Sequence, residues 1–104
     1  MKGTSIFTER LQALTRISAK IDRATIKDAD LITLQRISAA IDRDYTTGYY
    51  GLSQRQTLRS TAAYLIDAAR EGIRLNEYVK QASREIEKAR RAERRNAEKE
   101  DKTA

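Results

Sequence analysis

Apolar residues recur every three or four positions along most of the chain, a pattern typical of amphipathic α-helices. In the first such stretch they are Phe7, Leu11, Leu14, Ile17 and Ile21, and in the second they are Leu31, Leu34, Ile37 and Ile41. Two further apolar stripes follow, one over residues 58–73 and one over residues 75–89. The pattern therefore predicts an all-α protein of about four helices.

The first two stripes belong to a tandem duplication, in which residues 5–23 align with residues 25–43 at an offset of 20 residues, with ten of nineteen positions identical. At about 100° per residue, this offset turns the second stripe by about 200° relative to the first. One straight helix would present the two stripes on opposite sides. We therefore expect a break near Thr25, with Ser5 and Thr25 as N-caps, and an αα-hairpin built from the two copies.

The third and fourth stripes also point in different directions, about 145° apart if they lie on one helix. A second break is expected at Gly72, where a glycine would end the third helix. The predicted architecture is two helical hairpins, joined by a loop rich in Tyr and Gly, with a charged C-terminal helical extension. We assign residues 1–83 to a single helical domain, in which the second hairpin starts at residue 53, and residues 84–104 to the charged tail.

Composition narrows the possible chemistry. The 104 residues include no Cys, no His and no Pro, and the formal net charge is +6. The absence of Cys and His removes disulfides, the commonest metal ligand and the commonest general base. No phosphate-binding glycine loop or paired-carboxylate motif is present, so we expect no enzyme, no cofactor and no metal site. The longest apolar run, residues 62–66, is too short for a membrane span, and we expect a cytoplasmic protein without a membrane partner.

One stretch favours contact with a polyanion, because residues 45–66 contain no acidic residue. Arg55 and Arg59 are four residues apart and share a helical face, and Ser53 with Gln56 fits a capping box at a helix start that itself favours anions. The candidate nucleic-acid-binding residues are Tyr49, Tyr50, Ser53, Gln54, Arg55, Gln56 and Arg59, with the Tyr rings stacking on bases or flanking the backbone. Alternatively, the Tyr residues pack the loop onto the helices and the Arg residues are merely exposed, or the stretch binds a protein.

A second basic stretch lies near the C-terminus. Residues 88–95 contain five basic residues and one acidic residue, and the candidate phosphate-binding residues are Lys88, Arg90, Arg91, Arg94 and Arg95. The alternative is a solvated charged helix, supported by two possible i,i+4 ion pairs, Glu87 with Arg91 and Arg94 with Glu98.

Between these stretches, apolar residues follow the four-three spacing of a short coiled-coil seam. They are Leu75, Val79, Ala82, Ile86 and Ala89. The seam covers about two heptads, fewer than a long coiled coil needs. It could form a small dimer interface or pack on the first hairpin, and it leads us to expect a homo-oligomer.

Residues 68–82, with the sequence AAREGIRLNEYVKQA, resemble the turn between the two helices of ribbon-helix-helix DNA-binding proteins. In that family a Gly ends the first helix, and a segment Leu-Asn-x, followed by Tyr or Phe and then Val or Ile, opens the second. The family also has a strand before the first helix, and paired strands enter the major groove. The resemblance implies such a strand over residues 49–56, with Gln54 or Arg55 facing the groove.

These observations lead to two functional hypotheses. The first is a small basic DNA-binding accessory or regulatory protein of bacterial, plasmid or phage type, with DNA favoured over RNA as the nucleic acid. The second is a helical protein–protein interaction module, such as a phage structural adaptor or an inhibitor of a host complex. The charge pattern favours the first hypothesis.

Overall fold

The computed structural model describes residues 5–103, with side chains described for residues 5–97. Over this range the chain forms three α-helices and no strand: α1 (Ile6–Asp22), α2 (Asp28–Thr47) and α3 (Leu52–Thr103). The predicted all-α class is confirmed. The predicted count of about four helices is wrong, because α3 continues through Gly72, where we expected a second break.

The two copies of the repeat form α1 and α2, and the predicted break near Thr25 is confirmed. In the turn after α1, the Ala24 N–H donates to the Ile21 carbonyl oxygen at 3.0 Å and the Thr25 N–H donates to the Lys20 carbonyl oxygen at 2.9 Å. This bonding pattern is the Schellman motif, which requires one residue in the left-handed conformation. Ala24 supplies it, with φ of 58°, and the chain reverses there.

Of the expected N-caps, only Ser5 is correct: its Oγ accepts a 3.2 Å hydrogen bond from the Thr8 N–H at the start of α1. Thr25 takes part in the turn that ends α1, through its N–H bond to Lys20. The helix α2 therefore starts later, at Asp28, with Lys27 as its N-cap. The Lys27 N–H donates to the Asp30 carboxylate at 3.0 Å. Ser53 is not a cap either, since α3 already begins at Leu52.

Equivalent positions of the two repeat copies face one core. Leu14 and its counterpart Leu34 are fully buried, and Ile17 and its counterpart Ile37 are buried beside them. The first part of α3 completes this core with Leu58, Ala62, Leu65 and Ala69. Stripes that would face opposite sides of a straight helix reach the same core because the chain turns back between α1 and α2.

The chain divides into two units, of which the first ends at Ile73 and the second begins at Arg74. The first unit contains α1, α2, the first part of α3 and the whole core. In the second unit none of residues 74–97 is buried, and residues 74–83 are grouped there with the charged segment that follows. Although α3 is 52 residues long, neither it nor another described helix has the apolar character that crossing a lipid bilayer requires.

Gly72 has a packing role inside α3. A Cβ atom at this position would lie 3.0 Å from Cγ2 of Ile26, a buried residue of the α1–α2 connection. That separation is shorter than an ordinary van der Waals contact between carbon atoms. A glycine therefore lets the connection lie directly against α3, and the residue type reflects this close approach rather than a helix end.

We expect Gly72→Leu to lower the free energy of unfolding by about 1–3 kcal/mol, because a larger side chain must displace Ile26 from a packed position. Urea unfolding followed by circular dichroism measures this change. The control is Arg70→Leu, which places the same side chain at an exposed position of the same helix. Since Leu is a better helix former than Gly by up to about 1 kcal/mol, a Gly72→Leu chain more stable than the wild type by that amount would show that Ile26 does not constrain this site.

Candidate nucleic-acid interface

A buried carboxylate fixes the end of α2, where the candidate interface begins. Asp44 is 8% exposed and accepts two hydrogen bonds from Arg10 of α1, at 2.7 Å from Nε and 3.2 Å from Nη2. The Tyr50 hydroxyl lies 3.4 Å from Asp44 Oδ2 and donates a 2.6 Å hydrogen bond to the Ile41 carbonyl oxygen. Since an unpaired charge at such a position would be strongly destabilising, this network holds α1, α2 and the following loop together.

Two pKa values are shifted within this network. Burial raises the pKa of the Tyr50 phenol to about 12, and the charge of Asp44 adds to the shift, because both disfavour the phenolate. The hydrogen bond to Asp44 raises the pKa of the Arg10 guanidinium. Tyr50 is therefore a neutral donor and Arg10 a cation at neutral pH, the two states that the network needs.

The two adjacent Tyr residues after α2 lie in different environments. Gly48 ends α2 in the left-handed conformation, with φ of 93°, and Tyr49 is then 58% exposed while Tyr50 is buried. The Tyr50 ring packs edge-on against Phe7, with 6.4 Å between ring centroids. Tyr49 can stack on a base, whereas Tyr50 fits the alternative in which a Tyr packs the loop onto the helices.

The first turn of α3 carries the polar residues that we expected near phosphates. Ser53, Gln54 and Gln56 are all exposed. Helical hydrogen bonding begins at the first turn, where the Arg55 N–H donates to the Gly51 carbonyl oxygen at 3.0 Å. These side chains are therefore presented to solvent, as is the ring of Tyr49 in the preceding loop.

Arg55 and Arg59 share a face of α3, and that face contacts a carboxylate of α2. Nε of Arg55 lies 3.1 Å from Oδ1 of Asp42, and Nε of Arg59 lies 3.7 Å from the same oxygen. The Arg55 guanidinium also lies over the ring of Tyr45, 4.9 Å from its centroid, in cation–π geometry. Arg55 is thus held by two partners and half-buried, while Arg59 is exposed.

Asp42 and Tyr45 are the residues of this cluster that sequence reasoning missed. Asp42 comes just before the acid-free stretch, and Tyr45 is its first residue. The two lie three positions apart on α2 and are neighbours on one helical face, so the sequence alone could have placed them side by side. Their contact with Arg55 depends on how α2 packs against α3, which no local pattern encodes.

The candidate residues of the C-terminal stretch, Lys88, Arg90, Arg91, Arg94 and Arg95, are all exposed. Lys88 lies 3.8 Å from Glu85 and Arg91 lies 3.4 Å from Glu87, the second being an ion pair that the sequence predicted. The other predicted pair involves Glu98, whose side chain lies outside the described residues. Exposed pairs of this kind contribute little stability, so phosphates can replace the acidic partners at small cost.

Helical geometry gathers most of the basic residues of the segment 74–97 on one side of α3, whereas Arg74 and the candidate residue Arg90 lie outside this side. At about 100° per residue, six of them fall within an arc of about 120°. These residues, here called the basic arc, are Lys80, Arg84, Lys88, Arg91, Arg94 and Arg95. Over residues 74–97, where side chains are described, two acidic residues, Glu77 and Glu87, lie within the same angles. The centre of the basic arc lies about 160° from the apolar seam that starts at Leu75.

Comparison with known proteins gives no match: no family model, no curated protein and no solved structure is similar to the chain. Two features implied by the resemblance to ribbon-helix-helix proteins can be located directly. Residues 68–82 are helical throughout, without a turn at Gly72, and residues 49–56 contain no strand. Functional inference therefore depends on the geometry of the two basic regions.

We expect the stability of the first unit to fall as the pH rises from about 10 to about 12. The raised pKa of Tyr50 means that the unfolded chain, whose phenol has a pKa of about 10, loses this proton first. Tyr50→Phe removes this contribution, whereas Tyr49→Phe, at the exposed neighbouring position, retains it. Urea unfolding at several pH values compares the three chains. Identical pH dependence in the wild type and Tyr50→Phe would contradict a perturbed phenol.

Proposed function

We propose that this chain is a small basic DNA-binding accessory or regulatory protein of bacterial, plasmid or phage type. The observation that carries the proposal is the basic arc, six exposed cations on one side of a continuous helix, where residues 74–97 place only Glu77 and Glu87 at the same angles. Phosphate contacts of this kind supply most of the affinity of sequence-independent DNA binding.

The shape of the basic arc favours DNA over RNA. The major groove of B-form DNA admits an α-helix, with cations on the helix reaching the phosphates that border the groove. The corresponding groove of A-form RNA is too deep and narrow for side chains to read. A helix with its cations on one side is therefore better matched to duplex DNA.

The cluster around Arg55 offers a second, weaker contact region. Arg59 is exposed and Tyr49 is near it in sequence, but Asp42 already supplies a carboxylate to both Arg55 and Arg59. A phosphate that approaches these cations must compete with Asp42. We therefore assign most of the affinity to the basic arc and a smaller part to Arg55 and Arg59.

The main test is the dependence of duplex-DNA affinity on salt. Replacing Lys88, Arg91, Arg94 and Arg95 together by Gln should flatten the plot of log affinity against log salt by about three to four units, if each cation contacts one phosphate. Fluorescence anisotropy with a labelled duplex measures the slope. Gln preserves helix propensity, so the helix should persist in this variant.

A matched control removes four positive charges elsewhere. Arg16, Arg23, Arg36 and Arg43 are exposed residues of the α1–α2 hairpin, and their joint replacement by Gln should leave the slope close to that of the wild type. If both quadruple variants lost the same amount of slope, net charge alone would explain the effect and the basic arc would have no specific role. Absence of DNA binding by the wild type at low salt would refute the proposed function.

Asp42→Asn tests the second contact region. Removing the competing carboxylate should tighten DNA binding and steepen the salt slope by about one to two units, as Arg55 and Arg59 become available to phosphates. Asp22→Asn is the control, because Asp22 is the exposed equivalent of Asp42 in the first repeat copy. If both substitutions tighten binding equally, Arg55 and Arg59 have no specific role.

The second candidate function, a helical protein–protein interaction module, is favoured by a different observation. Tyr49 and Leu52, beside the start of α3, are large apolar side chains that remain more than half exposed. Tyr and Arg are frequent anchors in protein interfaces. Stoichiometric capture of one protein partner, lost on Tyr49→Ala and retained in the quadruple variant of the basic arc, would favour this function over DNA binding.

A further inference from the structure

The apolar seam of the second unit has no cover within that unit. Leu75 is 60% exposed, Ile86 is 54% exposed, and Val79 between them is also exposed. With Ala82 and Ala89 these residues follow a strict four-three spacing and lie within an arc of about 80° on α3. Such a narrow stripe matches the seam of a two-stranded coiled coil better than the broader face that packs into a globular core.

We infer that this seam is covered by the same seam of a second copy of the chain, in a parallel, in-register coiled coil over residues 75–89. In heptad notation, Val79 and Ile86 occupy a positions, while Leu75, Ala82 and Ala89 occupy d positions. β-Branched residues at both a positions favour two strands in a parallel coiled coil, and the d positions carry one Leu and two Ala. The inference goes beyond the proposed function and does not depend on DNA binding.

Charges beside the seam determine the orientation. Glu85 occupies a g position and Arg90 the following e position, a pair that meets between the strands of a parallel coiled coil. Glu85 therefore faces the partner's Arg90, and the reverse contact forms by symmetry. If the strands ran antiparallel with Val79 opposite the partner's Ala89, Glu85 would face the partner's Glu85, and like charges at that distance repel.

The contacts of the single chain are compatible with this exchange. Glu85 has one ion pair within α3, to Lys88 at 3.8 Å, between two exposed side chains. A contact of that length and exposure is easily replaced. The C-terminal end of the seam is set by Glu93, which occupies the next a position. Two copies of the chain would bring two carboxylates together there. The seam therefore ends at Ala89.

The seam and the basic arc lie on nearly opposite sides of α3. Dimerisation consequently leaves Lys88, Arg91 and Arg95 of both copies exposed. A second copy covers the apolar seam without burying charge, whereas packing the opposite side of this helix would bury several cations, at high cost.

The first test is the mass of the full chain without DNA, measured by sedimentation equilibrium over a wide concentration range. We expect a reversible monomer–dimer equilibrium. Val79→Glu should raise the dimer dissociation constant at least about 100-fold, because it buries two facing carboxylates. Gln81→Glu is the matched control, adding the same charge at an exposed position outside the seam, and should retain the dimer.

The second test fixes the orientation. The chain has no Cys, so a single introduced thiol reports one position only. Ala89→Cys should form an interchain disulfide on mild oxidation, since equivalent d positions face each other in parallel strands. In the antiparallel arrangement Ala89 faces the partner's Val79, and the two thiols lie about 15 Å apart along the axis.

The outcomes separate the possibilities. A monomer at all concentrations would overturn the inference and leave the seam for another protein. A dimer that persists in Val79→Glu would place the interface elsewhere and also overturn it. A dimer that is lost in Val79→Glu but not crosslinked by Ala89→Cys would reject the parallel orientation. Because these readouts contain no DNA, failure of the proposed function would leave them unchanged.

Discussion

The buried carboxylate of Asp44 constrains more of this molecule than any other polar group described. Its charge needs the Arg10 guanidinium, which ties the beginning of α1 to the end of α2. Tyr50 packs beside the same carboxylate and bonds the backbone of α2, so the loop closes tightly and α3 starts only a few residues later. The close approach of Arg55 to Asp42 follows from that closure, and with it the partial neutralisation of the first basic region.

Helical periodicity predicted the first hairpin correctly, because both repeat copies carry enough apolar residues to require burial in one core. The same angular reasoning failed at Gly72. It treated a change in stripe direction as requiring a turn, although the stripe from Leu75 onward need not be covered by the same chain. Where the fourth stripe remains exposed, as at Leu75 and Ile86, a change in stripe direction is compatible with a continuous helix. Gly72 reinforced the error, since close packing against Ile26 and helix termination favour the same residue type.

Some features of the candidate site could likewise be predicted from the sequence, and others could not. Exposure of the C-terminal cations and their position on one side of α3 could be read from local spacing, because both follow from a helix with few apolar residues. The surroundings of Arg55 could not, since Asp42 comes close only after α2 and α3 pack together. The difference in burial between Tyr49 and Tyr50 likewise depends on tertiary structure, namely the turn at Gly48 and the packing of the Tyr50 ring against Phe7.

The duplication creates an ambiguity that apolar residues alone cannot resolve, because equivalent Leu and Ile side chains would let either copy occupy either position. The polar contacts are not duplicated: the counterpart of Arg10 is Asp30, and the counterpart of Asp44 is Ala24. The bond between Lys20 and Asp30 is equally one-sided, since residue 40 is alanine. Because these contacts form with only one placement of the two copies, they favour the observed hairpin over one in which the copies exchange positions.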